Sequence, residues 1–198
     1  MWDKRYSGKA FAYGTTPNDF LRAQAHNLPL GDVLSLGEGE GRNAVFLAGL
    51  GHKVSALDGS QVGLEKAQAF AKDQGVEIKT IHADLANYQI EENRWDVIVS
   101  IFCHLPPDIR RKTHRQIAAA LRPGGCLILE AYTPQQLEYK TGGPPTAAMM
   151  MDLESLRAEL GALEFEFAQE GIRDVQEGAF HSGTGATVQL VARKGEAG

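Results

Sequence analysis

Apolar positions along the chain fall into short, nearly continuous runs separated by segments of helical periodicity. Asp32–Leu36 and Lys53–Leu57 read as two strands, with Arg42–Leu50 between them as a short helix that Gly51 ends in the left-handed conformation. Ser60 is placed to cap a second helix that reaches Gln74 and stops at Gly75, after which Val76–His82 alternates as a third strand. Trp95–Phe102 is apolar almost throughout, as suits a central strand buried on both faces. Pro107 and Asp108 open the next helix, Pro123-Gly124-Gly125 stops it, and Cys126–Ala131 follows as a fifth strand. Beyond a Gly/Pro-rich loop at Thr141–Thr146, Leu153–Leu160 reads as a helix. Leu163–Ala168 and Thr187–Ala192 read as two closing strands, joined through the Gly-rich stretch Gly178–Gly185. The pattern predicts an α/β, Rossmann-like architecture. Its sheet has seven mostly parallel strands, helices on both faces and an antiparallel strand near the C-terminus.

The length of 198 residues favours one compact domain, and 43% hydrophobic with 23% charged residues is a globular balance. A net charge of −5 argues against a broad electropositive surface for nucleic acid or anionic lipid. The longest apolar runs, Val45–Leu50 and Val97–Phe102, are far short of a membrane span. Asp3, Lys4 and Arg5 interrupt the N-terminus where a secretory signal would be apolar, so a cytoplasmic location is expected.

The chemistry concentrates in Val33-Leu-Ser-Leu-Gly37-Glu38-Gly39-Glu40-Gly41-Arg42-Asn43, where three alternate glycines join a strand to a helix. A ligand can approach such a backbone closely. Asp58 lies 21 residues beyond Gly37 at the end of the next strand, where a carboxylate accepts hydrogen bonds from ribose hydroxyls. Gly39-Glu-Gly41-Arg-Asn-Ala44 also satisfies a permissive dinucleotide pattern, so the spacing admits NAD. Glu38 and Glu40 would set carboxylates beside a pyrophosphate, and like charges about 4 Å apart cost about 1–4 kcal/mol. S-adenosylmethionine has ribose hydroxyls, no phosphate and a positive sulfonium, and suits an acidic glycine loop better.

These residues resemble the class I S-adenosylmethionine-dependent methyltransferases, and the resemblance spans most of the chain. Gly37, Gly39 and Gly41 match the family's glycine loop and Asp58 its ribose-binding acid. His82-Ala83-Asp84-Leu85 is similar to the segment whose acid meets the adenine amine. Trp95–Ser100 and Leu121-Arg122-Pro123-Gly124-Gly125 match the fourth strand and the turn into the fifth. The resemblance therefore implies cofactor contacts from Gly37, Glu38, Gly39, Gly41, Asn43, Asp58, Gly59, Ser60, Ala83, Asp84, Leu85, Ile101 and Phe102. Ser35 departs from the pattern, since many relatives carry an acid there for the methionine amine, and Glu38 is the nearest substitute.

Trp2–Tyr6, Tyr13-Gly14, Pro17–Leu21 and Glu130-Ala-Tyr132-Thr133-Pro134 are similar to the small-molecule branch related to tellurite-resistance and thiopurine methyltransferases. That narrower resemblance implies one domain, 1–198, whose segment 1–28 covers the cofactor site, with Tyr13 and Asn18 as contacts. The bland reading of Trp2, Tyr6 and Phe11 is that they pin the N-terminus to the core. On the acceptor side, Phe102–His104 and Tyr132-Thr133 follow the fourth and fifth strands at the carboxyl edge, which builds ligand pockets in open parallel sheets. His104 is the first choice for a base, because its unperturbed pKa lies near neutrality, with Tyr132 orienting the acceptor. The Thr141–Thr146 loop is placed to close over this edge.

Other residues carry weaker signals. Cys103 and Cys126 fall at opposite ends of neighbouring strands, which opposes a disulfide or shared metal, and His104 and His114 lack zinc spacing. Arg110–Arg115 reads as a solvated helix face and Met149–Met151 as packing. No tyrosine has Lys four residues on, Leu105-Pro106-Pro107-Asp108 lacks the Asn/Asp-Pro-Pro-aromatic arrangement of base-amine methylation, and neither cysteine follows proline. Three readings remain: a methyltransferase acting on a small molecule such as a thiol, amine or chalcogen oxyanion, an NAD(P)-dependent oxidoreductase, and a noncatalytic adenosyl-ligand sensor. The oligomeric state is left open.

Overall fold

In a computed structural model that describes residues 2–196, two short helices, α1 (Trp2–Tyr6) and α2 (Asp19–Gln24), precede the sheet. The strands β1 (Asp32–Leu36), β2 (Lys53–Asp58), β3 (Lys79–His82), β4 (Trp95–Ile101) and β5 (Leu121–Tyr132) then alternate with helices. These are α3 (Arg42–Gly49) after β1, α4 (Gln61–Asp73) after β2 and α5 (Pro107–Ala120) after β4. The chain continues through α6 (Gln136–Tyr139) and α7 (Leu153–Glu159) into a long hairpin, β6 (Glu164–Gln176) and β7 (Ser182–Arg193). The seven strands lie in the order β3-β2-β1-β4-β5-β7-β6, the first five mutually parallel and β7 antiparallel to both its neighbours. The expected seven-stranded, mostly parallel sheet is the one observed.

Strand alternation builds two cores. Leu34, Leu36, Ile98, Leu127, Leu129 and Leu190 face α5 and α7, where they meet Ile117, Leu156 and Leu160. Val33, Val97, Val99, Ile101 and Ile128 face the other way, against Leu21 of α2, Leu47 of α3 and Leu64 of α4. The chain runs outward from β1 in both directions, to β2 on one side and β4 on the other, so the carboxyl ends of β1 and β4 open a crevice between diverging connections.

Several boundaries differ from the sequence pattern for local reasons. The third strand begins at Lys79 rather than Val76, because the Val76 N–H is spent on the Ala71 carbonyl (3.0 Å) in closing α4. Leu121 already pairs with Trp95, and the Arg122–Gly125 turn bulges out before regular pairing resumes between Val97 and Cys126. The hairpin is longer than expected, since Gln169–Gln176 pairs with Ser182–Gln189 although it carries little apolar alternation. β6 is an edge strand, and its polar residues need no core face.

Arg110 and His114, expected on a solvated face, turn inward instead. Arg110 lies 2.8 Å and His114 Nδ1 2.7 Å from the Glu159 carboxylate of α7. Arg110 also donates to the Ala148 and Met150 carbonyls at 3.0 and 2.9 Å. One i, i+4 face of α5 thereby anchors both α7 and the end of the Gly/Pro-rich loop. Among the described residues, no helix is long and apolar enough to cross a membrane.

Candidate active site at the carboxyl edge of the sheet

The loop from β1 into α3 runs through Gly37, Gly39 and Gly41 at φ of 61°, 65° and 94°, conformations that side chains resist. Space is as restrictive as torsion. A Cβ on Gly37 would lie 2.9 Å from Cys103 Sγ, and one on Gly39 2.7 Å from the Tyr6 hydroxyl oxygen. The loop is therefore a backbone cradle with Tyr6 of α1 on one side and Cys103, just past β4, on another. Burial pushes the Cys103 thiol up to about 12, helped by the Asp58 charge, so it stays protonated.

Asp58 ends β2 beside this cradle. Its carboxylate accepts the N–H of Gly39 (2.9 Å) and of Ser60 (2.7 Å), and burial raises its pKa against those bonds. Ser60 caps α4 by accepting the Gly63 N–H (3.1 Å) and donates its hydroxyl proton to Asp3 (2.5 Å). The Ala83 N–H bonds the Asp58 carbonyl (3.0 Å), which brings Ala83 and the exposed Asp84 to the same edge, while Leu85 turns into the core. Gly37, Gly39, Gly41, Asp58, Gly59, Ser60, Ala83 and Asp84 thus gather where β1, β2 and β3 end, and Ile101 closes β4 beside them.

Other expected contacts have internal partners. Glu38 is turned inward: one carboxylate oxygen accepts the Asn43 and Ala44 N–H groups, both at 3.0 Å, and the other accepts the Ser35 hydroxyl. It serves as an N-terminal cap for α3. Glu40 accepts the Ala12 N–H (2.7 Å) and pairs with Lys66. The two acids therefore do not present free carboxylates to a ligand, and the charge argument for a cationic ligand loses its footing. Asn43 Oδ1 accepts the Asn18 N–H (2.9 Å), while Asn18 Nδ2 gives both its protons away, to Glu130 (2.5 Å) and Glu177 (2.8 Å). Its side-chain oxygen caps α2 through Leu21 (2.9 Å), so Asn18 keeps no free N–H for a ligand.

Those two glutamates belong to a buried network that the sequence reading did not identify. Glu130, with no solvent exposure on β5, accepts from Arg173 of β6 at 2.7 and 3.0 Å and from Gln189 of β7 at 2.9 Å. Glu177, just past β6, pairs with Arg42 at the start of α3 and with Arg173 (2.8 Å). Burial works against its ionisation, but the two guanidiniums hold its carboxyl below the ordinary range. The hairpin tip also touches the N-terminal segment directly. Ala179 N–H bonds the Ala12 carbonyl (3.0 Å), and a Cβ on Gly178 would strike the Tyr13 backbone at 2.5 Å.

Beyond β4 and β5 the edge becomes aromatic. Phe102 takes a left-handed conformation, φ 50°, costly for a bulky residue and fixed by its N–H bond to the Glu130 carbonyl (2.7 Å). Its ring lies 4.6 Å from Tyr132 and 4.8 Å from His181, which also contacts Tyr13 at 4.7 Å and Tyr132 at 5.3 Å. His104 stacks on Tyr132 at 5.7 Å and 9°, and its Nε2 accepts the Tyr132 backbone N–H at 3.0 Å. Burial, aided by the Arg110 charge, lowers the His104 pKa to about 4. Met150 and Val175 pack behind Tyr132. Met150 is thus packing, as expected, and supports Tyr132 from behind.

With this geometry in place, residues 33–125 match the family described as Methyltransferase domain. That match, just under half of the chain, together with the relative below, supports a methyltransferase enzyme. That decides among the three readings in favour of methyl transfer. The methyltransferase is 25% identical over 156 residues to a 2-heptyl-1-hydroxyquinolin-4(1H)-one methyltransferase from Mycobacteroides abscessus, over 73% of this chain and 69% of the relative. It also shares its fold with a structure solved for the conversion of a disulfide bond into a thioacetal group during echinomycin biosynthesis. There the TM-score is 0.78 at 21% identity, over 99% of this chain and 89% of that one. TehB from Haemophilus influenzae matches with a TM-score of 0.73 at 21% identity, over 98% of this chain and 65% of that chain's length.

Of the residues the sequence reading missed, Glu130 left a signal: a lone carboxylate inside an apolar strand demands buried partners. Arg173, Glu177 and His181 left none, because only the hairpin register brings them to the edge. Replacing Glu177 with Ala strands the buried Arg42, and should lower stability to urea by about 3–5 kcal/mol. A loss under about 1 kcal/mol, the scale of exposed pairs, would show that the network holds little.

Proposed function

We propose that the methyltransferase moves the methyl group to a small-molecule acceptor lodged at the aromatic edge, while the adenosyl part of the cofactor lies along the glycine cradle against Asp58. The observation that carries this reading is the cradle itself. Side chains are excluded from Gly37 and Gly39 by Cys103 and Tyr6, and a buried carboxylate stands beside them. These residues fit an adenosyl group. Asp58 is the acceptor for ribose hydroxyls, Asp84 is the carboxylate for the adenine amine, and the Gly59-Ser60 and Ala83 backbone flanks them. Residues 2–28 cover this side, with Tyr6 over Gly39 and Tyr13 between the cradle and the acceptor edge, within one domain. The inward-turned Glu38 and the saturated Asn18 shape the cradle rather than touch the ligand, and Asn43 spends its side-chain oxygen on Asn18.

The acceptor class is supported by the Mycobacteroides relative, which is named for a small heteroaromatic substrate. Thiols, amines and chalcogen oxyanions share the required feature, a nucleophilic lone pair. S-adenosylmethionine supplies, when bound, an activated methyl carbon and a sulfur leaving group. The chain's task is alignment and exclusion of water. His104 suits positioning better than proton abstraction, since its Nε2 lone pair is occupied by the Tyr132 N–H and burial keeps the ring neutral. A cytoplasmic setting, supported by the two free thiols of Cys103 and Cys126, completes the reading.

Calorimetry with S-adenosylmethionine tests the cradle. Asp58→Ala should weaken binding by about 1–3 kcal/mol through lost charge-assisted hydrogen bonds while the fold survives. Unchanged affinity in a folded variant would remove Asp58 from the site. On the acceptor side, His104→Ala should lose turnover yet still bind cofactor, and normal turnover on the acceptor would sink the role given to His104.

A further inference from the structure

The tip of the β6–β7 hairpin delivers one residue that the reaction above does not use. His181 is 9% exposed, and its Nδ1 is fully buried with no hydrogen-bond partner among the described residues. Leaving such an atom unpaired costs about 1–3 kcal/mol. The ring is not loosely placed: Tyr13, Phe102 and Tyr132 surround it at 4.7, 4.8 and 5.3 Å, the last two edge-on. The backbone on either side is fixed, with the Glu177 N–H on the His181 carbonyl at 2.7 Å and Glu177 itself locked to Arg42 and Arg173. A polar atom is thus held, unsatisfied, at the edge where the acceptor must sit.

We propose that His181 Nδ1 hydrogen-bonds the heteroatom of the methyl acceptor, and that this acceptor is a flat, uncharged aromatic molecule bearing an O–H, N–H or S–H group. The inference rests on the acceptor-edge reading above and narrows it. Three observations select the class. The surroundings are aromatic, Tyr13, Phe102 and Tyr132, with Met150 and Val175 packed behind Tyr132, and such a setting rewards planar apolar surface. Tyr13, Phe102 and Tyr132 already lie at ring-contact distances, so a flat ligand exchanges one ring contact for another. The buried charges nearby are matched, Arg42 and Arg173 against Glu177 and Glu130, while Arg5 is turned over the Phe180 ring at 4.1 Å with a hydrogen bond to Tyr13. Burial lowers the His181 pKa to about 3, with Glu177 opposing and Arg42, His104 and Arg5 reinforcing, so the ring is neutral. A neutral imidazole among aromatic faces offers a hydrogen bond but no counter-charge, which favours a protic aromatic over a chalcogen oxyanion.

The test uses the full chain loaded with S-adenosylhomocysteine and titrated separately with 2-naphthol and with sodium selenite. Three proteins are compared: the parent, His181→Phe, which keeps a ring without the nitrogen, and His181→Asn, which keeps a polar atom near Nδ1. Thermal melting confirms folding, and the ¹⁵N resonance of His181 Nδ1 reports direct contact. The expected result is that the parent binds 2-naphthol with a shift of the Nδ1 resonance. His181→Phe should weaken that binding tenfold or more, His181→Asn should hold within about threefold, and selenite should bind none of them. Equal binding of 2-naphthol to His181→Phe, an unmoved Nδ1 resonance, or a parent that binds selenite in preference to 2-naphthol would overturn the inference. So would a loaded parent that ignores 2-naphthol, or a His181→Asn variant that loses binding like His181→Phe. Failure of the parent to bind S-adenosylhomocysteine would instead overturn the cofactor reading on which this inference rests.

Discussion

Glu130 sits on a central strand without access to solvent, and a carboxylate there must be answered by positive charge and hydrogen bonds from elsewhere in the chain. The answer draws Arg173 and Gln189 from the terminal hairpin and Asn18 from the N-terminal segment. Arg173 and Asn18 also meet Glu177, which in turn reaches Arg42 at the first turn of α3. Two arginines and two glutamates cancel in charge, and they come from three places far apart in sequence: the start of α3, β5 and the β6 end of the hairpin. Their cancellation holds the hairpin tip against the glycine loop, with the N-terminal segment clasped between them. The packing of the N-terminal segment over the glycine loop and the placement of His181 beside Phe102 and Tyr132 are both consequences of that arrangement.

The network also explains the polarity of the edge beside it. Because its charges are spent on one another, Phe102, His104, Tyr132 and His181 occupy a largely aromatic region, and both histidines are held neutral chiefly by burial. Such a surface suits a reaction in which the cofactor brings its own leaving group and the protein contributes alignment. A strong base would be hard to keep charged there. On the proposed reading, the neutral rings and the left-handed turn at Phe102 instead fix where an acceptor atom stands.

Much of the fold was legible because its signals are local. Apolar runs, the Ser60 cap and the Gly75 and Pro123–Gly125 stops placed the parallel strands and their helices, and three glycines followed by Asp58 marked where β1 and β2 end. Direction was harder to read. The sequence gives the charge of Glu38 and Glu40 but not their orientation, and both turn inward, to the start of α3 and to Lys66 and Ala12. The second half of β6 was hidden because an edge strand needs no alternation. His181 was hidden for a related reason: it falls in a Gly-rich stretch that reads as loop, and its burial follows from long-range packing against Tyr13, Phe102 and Tyr132.

The most direct measurement is a crystal structure of the protein with S-adenosylhomocysteine bound. The ribose hydroxyls should lie within hydrogen-bond distance of Asp58, with the adenosyl group along Gly37–Gly41 and the sulfur facing the Phe102–His104 segment. The Arg42–Glu177 and Arg173–Glu130 contacts should remain intact. A ligand whose ribose sits away from Asp58, or whose sulfur points away from Phe102, would contradict the account.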